Sequence, residues 1–422
     1  MSFEIISVIG LGYIGLPTAA MFASRKKKVI GVDVNQYAVD TINQGKIHIV
    51  EPDLDMIVHA AVNEGFLKAT TSPEPADAFL IAVPTPFLPC EEGKVPAPDL
   101  SYIKAASKAI APVLKNGDLV ILESTSPVGA TEQMAAWLAE ERSDLTFPQT
   151  HGELADINIA HCPERVLPGH VVRELVENDR VIGGMSDRCS ERAVQLYSTF
   201  VKGECVVTNA RTAEMAKLTE NSSRDVQIAF ANELSIICDK LGINVWELIA
   251  LANRHPRVNI LQPGPGVGGH CIAVDPWFIV SKTPEEAQII HTARKVNDSK
   301  PDWVLDKVKM AMAEFLQVNP NRTAREVTIA CYGLAFKPDI DDLRESPAMQ
   351  IVKKIECFHS GSVLVVEPNI SSLPSSLETS VLVDFDTARR KADIQVLLVD
   401  HKDFKEKTMS EEGLIDTKGI WS

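Results

Sequence analysis

The stretch Ile5-Ile6-Ser7-Val8-Ile9-Gly10-Leu11-Gly12-Tyr13-Ile14-Gly15 constrains the fold more than any other in the chain. Its first five residues read as a buried strand. They run into Gly-x-Gly-x-x-Gly, and Leu16 to Ser24 then reads as a helix with Pro17 in its first turn. A second strand, Lys28 to Val32, ends at Asp33. Strand, glycine turn, helix and a strand-ending acid about 20 residues on make up the fingerprint of a dinucleotide-binding βαβ unit. Gly10 makes the tight turn, Gly12 admits a pyrophosphate, and Gly15 lets helix and strand pack closely. Asp33 suits ribose hydroxyls and would repel a 2′-phosphate, which favours NAD over NADP.

At 422 residues the chain exceeds one ordinary core, so two or three domains are expected. Further strands read at Phe79 to Val83 and Leu119 to Glu123. They end in polar, proline-containing turns, Pro84-Thr85-Pro86 and Ser124-Thr125-Ser126-Pro127-Val128-Gly129. Ligands of an open parallel sheet bind beyond the carboxyl ends of its strands. Both turns therefore fit cofactor contacts, and ordinary strand-to-helix caps fit the spacing equally. Glu91 to Pro98 reads as an exposed insertion. A short strand at Ile157 to Ala160 leads into His161-Cys162-Pro163-Glu164-Arg165-Val166-Leu167-Pro168-Gly169, whose Glu164 and Arg165 fit a site or a surface ion pair. Arg25 to Lys28 complements the dipole of the preceding helix.

Ala210 to Leu241 reads as one long helix, with Thr212 as N-cap and Gly242 as its stop. Lys217, Asn221 and Arg224 share one face of it, as a ligand-facing set or a solvated stripe. A helix of this length is also a candidate dimer core. The proline-broken loop Asn253-Arg254-His255-Pro256-Arg257-Val258-Asn259 precedes Pro263-Gly264-Pro265-Gly266-Val267-Gly268-Gly269-His270-Cys271-Ile272-Ala273-Val274-Asp275-Pro276. Glycine and proline are too dense there for a helix or strand. The loop either brings a thiol close to a ligand or tucks a small apolar cysteine under a turn. After a helical tract (Glu285 to Phe315) and a polar linker (Asn319 to Arg325), a βα pattern resumes. Strands at Val327 to Cys331, Val363 to Val366 and Ile394 to Val399 predict a second open α/β sheet. It lacks a full Gly-x-Gly-x-x-Gly and is expected to bind something other than a dinucleotide.

A net charge of −15 excludes a general nucleic-acid binder. It leaves room for anionic small ligands held by local cations and helix N-termini. The eight cysteines form no CxxC pair and no zinc-type spacing with histidines, so no metal is expected and a reducing cytoplasm is. No signal peptide and no apolar run of membrane-spanning length is read.

Taken together these residues resemble the UDP-glucose/GDP-mannose dehydrogenase family. The resemblance covers essentially the whole chain: GLGYIG with Asp33, VPTP, ESTSPVGAT, CPERVLPG, AEMAKLTENS, GPGVGGHCIAVDP, GLAFKPDIDDLRESPA and the terminal Asp416-Thr417-Lys418-Gly419. It implies two oxidations of a sugar C6 alcohol through a thiohemiacetal and a thioester on Cys271. Lys217 and Asn221 would serve the oxyanion, and Asp275 and Glu164 the water and its proton. It implies NAD contacts at Gly10, Gly12, Tyr13, Ile14, Gly15, Asp33, Thr85, Thr125, Thr131 and Arg344. It implies nucleotide-sugar contacts at Arg165, Val166, Lys217, Asn221, Arg224, His255, Arg257, Gly268, Phe336, Lys337 and Lys418, with Arg257 reaching across a homodimer. The segments NRHPRVNILQPGPGVGGHCIAVDPWFIV and CPERVLPG are similar to those of members acting on UDP-N-acetyl-D-mannosamine, which supply enterobacterial common antigen. UDP-GlcNAc and UDP-glucose are the alternatives, and an NAD-binding scaffold without catalysis is a distant one.

Two positions depart from the family pattern. Many glucose-type members carry Lys where this chain has Val274, which supports a 2-acetamido sugar. Lys418 stands where many relatives have Arg, and Lys holds an anion as a point charge, not bidentately. The expected architecture is two Rossmann-like, doubly wound parallel-sheet domains joined by the long helix and a helical middle domain. The expected bounds are 1–208 for NAD, 209–318 for the middle with the catalytic loop, and 319–422 for the UDP-sugar.

Overall fold

The computed structural model describes residues 3–49, 51–91, 93–166, 169–269, 271–410 and 412–421. The chain divides into two compact units, Met1–Glu220 and Asn221–Ser422, and the division falls inside one continuous helix, Ala210–Leu241.

Among the described residues, the first unit is built on an eight-stranded sheet. Its strands are β1 (Ile5–Ile9), β2 (Lys28–Val32), β3 (Leu67–Thr70), β4 (Ala78–Ile81), β5 (Leu119–Leu122), β6 (Asn158–His161), β7 (Arg180–Gly184) and β8 (Cys205–Asn209). They lie in the order β3-β2-β1-β4-β5-β6-β7-β8. The first six are mutually parallel, in the doubly wound order of a dinucleotide fold. Side chains alternate between two buried layers. Ile6, Val8, Leu80 and Ile121 fill one; Ile9, Phe79, Ile81 and Val120 fill the other. Both faces are covered, which is why these strands read as unbroken apolar runs.

The far edge differs from the expected all-parallel sheet. β7 runs antiparallel to β6, pairing His161 with Gly183, and β8 follows β7 in parallel. The connection after β6 is held near the edge where that strand ended. Buried Glu51 accepts the N–H groups of Gly169 and Val171, at the start of the short helix Val171–Glu177. The antiparallel pairing means that the chain re-enters the sheet from the end at which β6 leaves it.

The second unit holds a five-stranded sheet in the order β11-β10-β9-β12-β13. These are β9 (Thr328–Tyr332), β10 (Ser362–Val366), β11 (Val381–Leu382), β12 (Ile394–Leu397) and β13 (Leu414–Asp416). All pairings are parallel. The helix Gln288–Val318 packs on this sheet through Val304, Leu305 and Val308.

The two sheets share one turn. Gly10 and Gly333 each follow the central strand with φ of +91°, and each donates its N–H to the strand beside it, at Val32 and Val366, over 2.8 Å. The next residue donates to the acid ending that neighbouring strand: Leu11 to Asp33 at 2.8 Å and Leu334 to Glu367 at 2.7 Å.

Candidate active site

The glycine turn of the first unit fits a dinucleotide. A Cβ on Gly15 would lie 1.7 Å from the Gly10 carbonyl oxygen, so only glycine closes the turn. A Cβ on Gly12 would meet nothing within 4 Å, which leaves its backbone open to a ligand. The helix Gly15–Ser24 begins at Ile14 with no side-chain cap and no acid in its first turn. Leu16 donates its N–H to the Gly12 carbonyl at 3.1 Å and Pro17 has none, so a pyrophosphate would be met by the uncapped start of the helix ahead of them. Asp33 is half-buried and accepts the N–H groups of Leu11 and Asn35, one on each oxygen. That fixes the carboxylate and leaves its remaining lone pairs for ribose hydroxyls. Tyr13 is exposed beside the turn. Thr85 donates its hydroxyl to the Thr125 carbonyl at 2.5 Å and ties the ends of β4 and β5 together.

Thr131 departs from the expected cofactor contact. It has no exposed surface, and both its hydroxyl and its N–H donate to Glu214. Glu214 also takes the N–H of Gly129, so it caps the helix Ala130–Glu141. Glu214 lies within AEMAKLTENS and was not singled out in the sequence. Arg344 belongs to the second unit, where its guanidinium pairs with Asp342.

A buried charge cluster lies at the ends of β5 and β6. Arg180 stands 3.4 Å from Glu164 and 3.8 Å from Glu123. It stacks on the Tyr197 ring, whose hydroxyl donates to Glu123 at 2.6 Å. Two carboxyls thus share one guanidinium. Burial pushes the Glu123 carboxyl up to about 7, against the pull of Arg180. A carboxyl raised on folding binds its proton more tightly in the native state than in the unfolded chain. Its contribution to stability is therefore full below its ordinary value of 4.5 and is lost as pH rises to about 7. Glu123→Gln should remove that loss and gain up to about 3 kcal/mol over the parent above neutral pH. Urea midpoints across this window read it; identical pH profiles for both proteins would refute it. The adjacent His161 is buried, with both ring nitrogens lacking a partner, and burial pushes it down to about 3. It stays neutral and fills space.

In the second unit the glycines of the Cys271 loop lie hard against the segment after β9. A Cβ on Gly268 would sit 2.5 Å from the Glu345 carbonyl oxygen and 2.9 Å from Phe336. Gly269, at φ +82°, faces the Phe336 ring. His270 lies outside the described residues. Cys271 is exposed, and its carbonyl accepts the N–H groups of Val274 and Asp275. That turn starts the helix Asp275–Lys282. Asp275 is buried and accepts the side-chain amide of Asn221 at 2.5 Å. The loop that carries Cys271 thus runs directly into Asp275, and the long helix supplies the Asn221 amide to that carboxylate.

A polar network missed in the sequence supports this loop. Gly264 donates its N–H to Asn232, Asn232 donates to Asn297, and Asn297 donates to Asp225. Asp225 is paired with Arg294 at 2.5 Å, and Arg294 also reaches Asp298. A regular i, i+3, i+4 apolar pattern carries no sign of such buried polar partners.

The remaining residues divide by unit. Glu164, Arg165, Val166 and Lys217 lie in the first. There Arg165 pairs with Glu220 at 2.7 Å, and Val166 packs on the core; Lys217 is half-buried. Arg224, His255, Arg257 and Lys337 are exposed in the second, and Lys418 pairs with Asp400 at 3.1 Å. The Leu167 and Pro168 positions of the CPERVLPG motif are outside the described residues. Among the described residues, no group of three or more His, Cys, Asp or Glu is placed to hold a metal ion, and no helix is long and apolar enough to cross a membrane.

Three family models match consecutive stretches of the chain. They are the NAD binding domain of the UDP-glucose/GDP-mannose dehydrogenase family at residues 4–201, its central domain at 211–299 and its UDP binding domain at 330–422. The chain belongs to this family. As a family member it is an NAD-dependent dehydrogenase of nucleotide sugars. It is 68% identical to the UDP-N-acetyl-D-mannosamine dehydrogenase of Yersinia pestis, with all of both chains covered. It is 65% identical to an NDP-N-acetyl-D-galactosaminuronic acid dehydrogenase of Ralstonia solanacearum, covering all of this chain and 97% of that one. The solved UDP-D-ManNAc dehydrogenase of Pyrococcus horikoshii matches with a TM-score of 0.84 at 38% identity, over 99% of this chain and 96% of that chain.

Proposed function

We propose that the chain oxidises the C6 alcohol of UDP-N-acetyl-D-mannosamine to the uronate in two successive steps through Cys271. The observation that carries this is an exposed thiol on a glycine loop beside the Asn221–Asp275 pair, in a chain so similar along its whole length to an enzyme named for that sugar. NAD, when bound, accepts the hydride in each oxidation. Cys271 acts after the first. Its sulfur adds to the aldehyde carbon, and the carbonyl electron pair moves to oxygen. Asn221 donates to that oxygen, a role the family resemblance gives to Lys217 as well. Loss of the second hydride from the same carbon leaves a thioester. Water then attacks, the C–S bond breaks, and the thiol and the acid are released. Asp275 orients the water and takes its proton, and the family resemblance gives Glu164 a part in this. Asn221 holds Asp275 in place, and Arg180 stands 3.4 Å from Glu164.

Val274 supports a 2-acetamido sugar; the Yersinia relative favours the mannose form, and the Ralstonia relative a galactosamine-type sugar as second reading. The experiment counts NADH per sugar consumed with UDP-ManNAc, UDP-GlcNAc, UDP-GalNAc and UDP-glucose. Two per UDP-ManNAc, with the highest kcat/KM of the set, is expected. One or none overturns the four-electron reading, and a better kcat/KM elsewhere reassigns the sugar. We further propose a cytoplasmic homodimer that supplies the aminouronic acid of enterobacterial common antigen. Support for the dimer comes from the long helix, which exposes Phe230, Ile237 and Leu241.

A further inference from the structure

The second sheet repeats the Gly-Leu turn of the first, but the acid it leads to is fully engaged. Glu367 is 4% exposed. Its Oε2 accepts the N–H of Leu334, that of Ala335 and the Nε2–H of His401, the last at 3.0 Å. Its Oε1 accepts the backbone and side-chain N–H groups of Asn369, each at 3.1 Å. His401 thus stands over the acid that, at Asp33, is left half-open for a ribose. Burial works against the charged form of Glu367, yet hydrogen bonds from His401 and Leu334 outweigh it and hold the carboxyl below its ordinary value.

His401 has no exposed surface. Its Nδ1 accepts the backbone N–H of Asp339 at 2.9 Å and the Asn369 amide at 3.1 Å. A backbone N–H can only donate, so Nδ1 carries a lone pair and the proton sits on Nε2, facing Glu367. Asp339 has φ of +62°, a left-handed conformation unusual outside glycine. Its carboxylate accepts the N–H of Lys402 at 2.9 Å. The loop from Gly333 to Asp339 is therefore fastened at both ends, at Leu334 and Ala335 by Glu367 and at Asp339 by His401. Phe336 and Lys337 lie between the two fastenings, and the Phe336 ring lies against Gly269 of the catalytic loop.

We propose that His401 is a positioning residue for the sugar nucleotide. Through its Nδ1 acceptor it fastens the loop that presents Phe336 and Lys337. This rests on the reading that those two residues meet the nucleotide. His401→Gln keeps an amide donor toward Glu367 but has no acceptor in place of Nδ1. His401→Asn puts a carbonyl oxygen there. The Gln variant should raise KM for the UDP-sugar about tenfold, the effect of one lost buried hydrogen bond, with kcat and KM for NAD within about twofold of the parent. The Asn variant should recover most of that loss. An unchanged sugar KM in the Gln variant overturns the proposal, as does a joint change of kcat and both KM values, or an Asn variant no better than Gln. Lys337→Ala separates the two claims: if it leaves the sugar KM unchanged, the nucleotide reading of the loop fails. Should the Gln variant not fold, hydrogen exchange in the parent reads the same contact. Protection of the Asp339 amide matching that of Leu334 is expected, and rapid exchange at Asp339 overturns the proposal.

Discussion

Cys271→Ala is expected to abolish uronate formation while leaving NAD binding intact. Without sulfur there is no thiohemiacetal to hold the aldehyde carbon between the two oxidations and no thioester to hydrolyse. Removing the nucleophile of a covalent mechanism costs on the order of 10³-fold or more in kcat. The first oxidation needs no thiol, so at most one NADH per enzyme-bound sugar should form in a single turnover. Quenched-flow counting of NADH against uronate reads both. Acid formation at more than about a tenth of the parental rate would remove Cys271 from the chemistry. The fold should survive, because the side chain is exposed and the backbone carbonyl that holds the turn into the helix Asp275–Lys282 is kept by alanine.

The largest stability effect is expected at Arg294→Met. Arg294 is 1% exposed and Asp225 is fully buried. Removing the guanidinium strands the Asp225 carboxylate, one oxygen of which already lacks a hydrogen-bond partner. Breaking a buried pair from one side costs about 3–5 kcal/mol. The damage should also reach the catalytic loop, because Asp225 is linked through Asn297 and Asn232 to the Gly264 N–H. Chemical denaturation measures the loss. A double change, Arg294→Met with Asp225→Asn, should be less destabilising than Arg294→Met alone, since the second substitution neutralises the stranded acid. A single-variant loss below about 1 kcal/mol, or a double variant worse than the single, would show that the pair is not a supporting contact.

Much of the fold was legible because its signals are local. The apolar run Ile5–Ile9, the three glycines and Asp33 lie within one βαβ unit, and the helix Ala210–Leu241 follows from its own periodicity and from Gly242. Strand ends were less legible. β4 stops at Ile81, two residues short of the expected end at Val83, and β5 stops at Leu122, one short of Glu123. The antiparallel β7 was not legible, since its pairing with β6 joins segments about twenty residues apart whose connection is tied to Glu51, more than a hundred residues away.

By itself the sequence determined the dinucleotide turn, the acid at Asp33 that ends its second strand, and the loop that displays Cys271. Each depends on residues close together in the chain, where glycine conformation and the period of burial leave direct marks. Only the tertiary structure decided which polar groups those elements rest on. Glu214 takes the Thr131 hydroxyl, Arg294 pairs with Asp225 from 69 residues away, and His401 closes Glu367 to a second ribose. A polar group taken out of water must find a partner. Which partner it finds is set by the packing of distant elements, and residue order alone does not carry that.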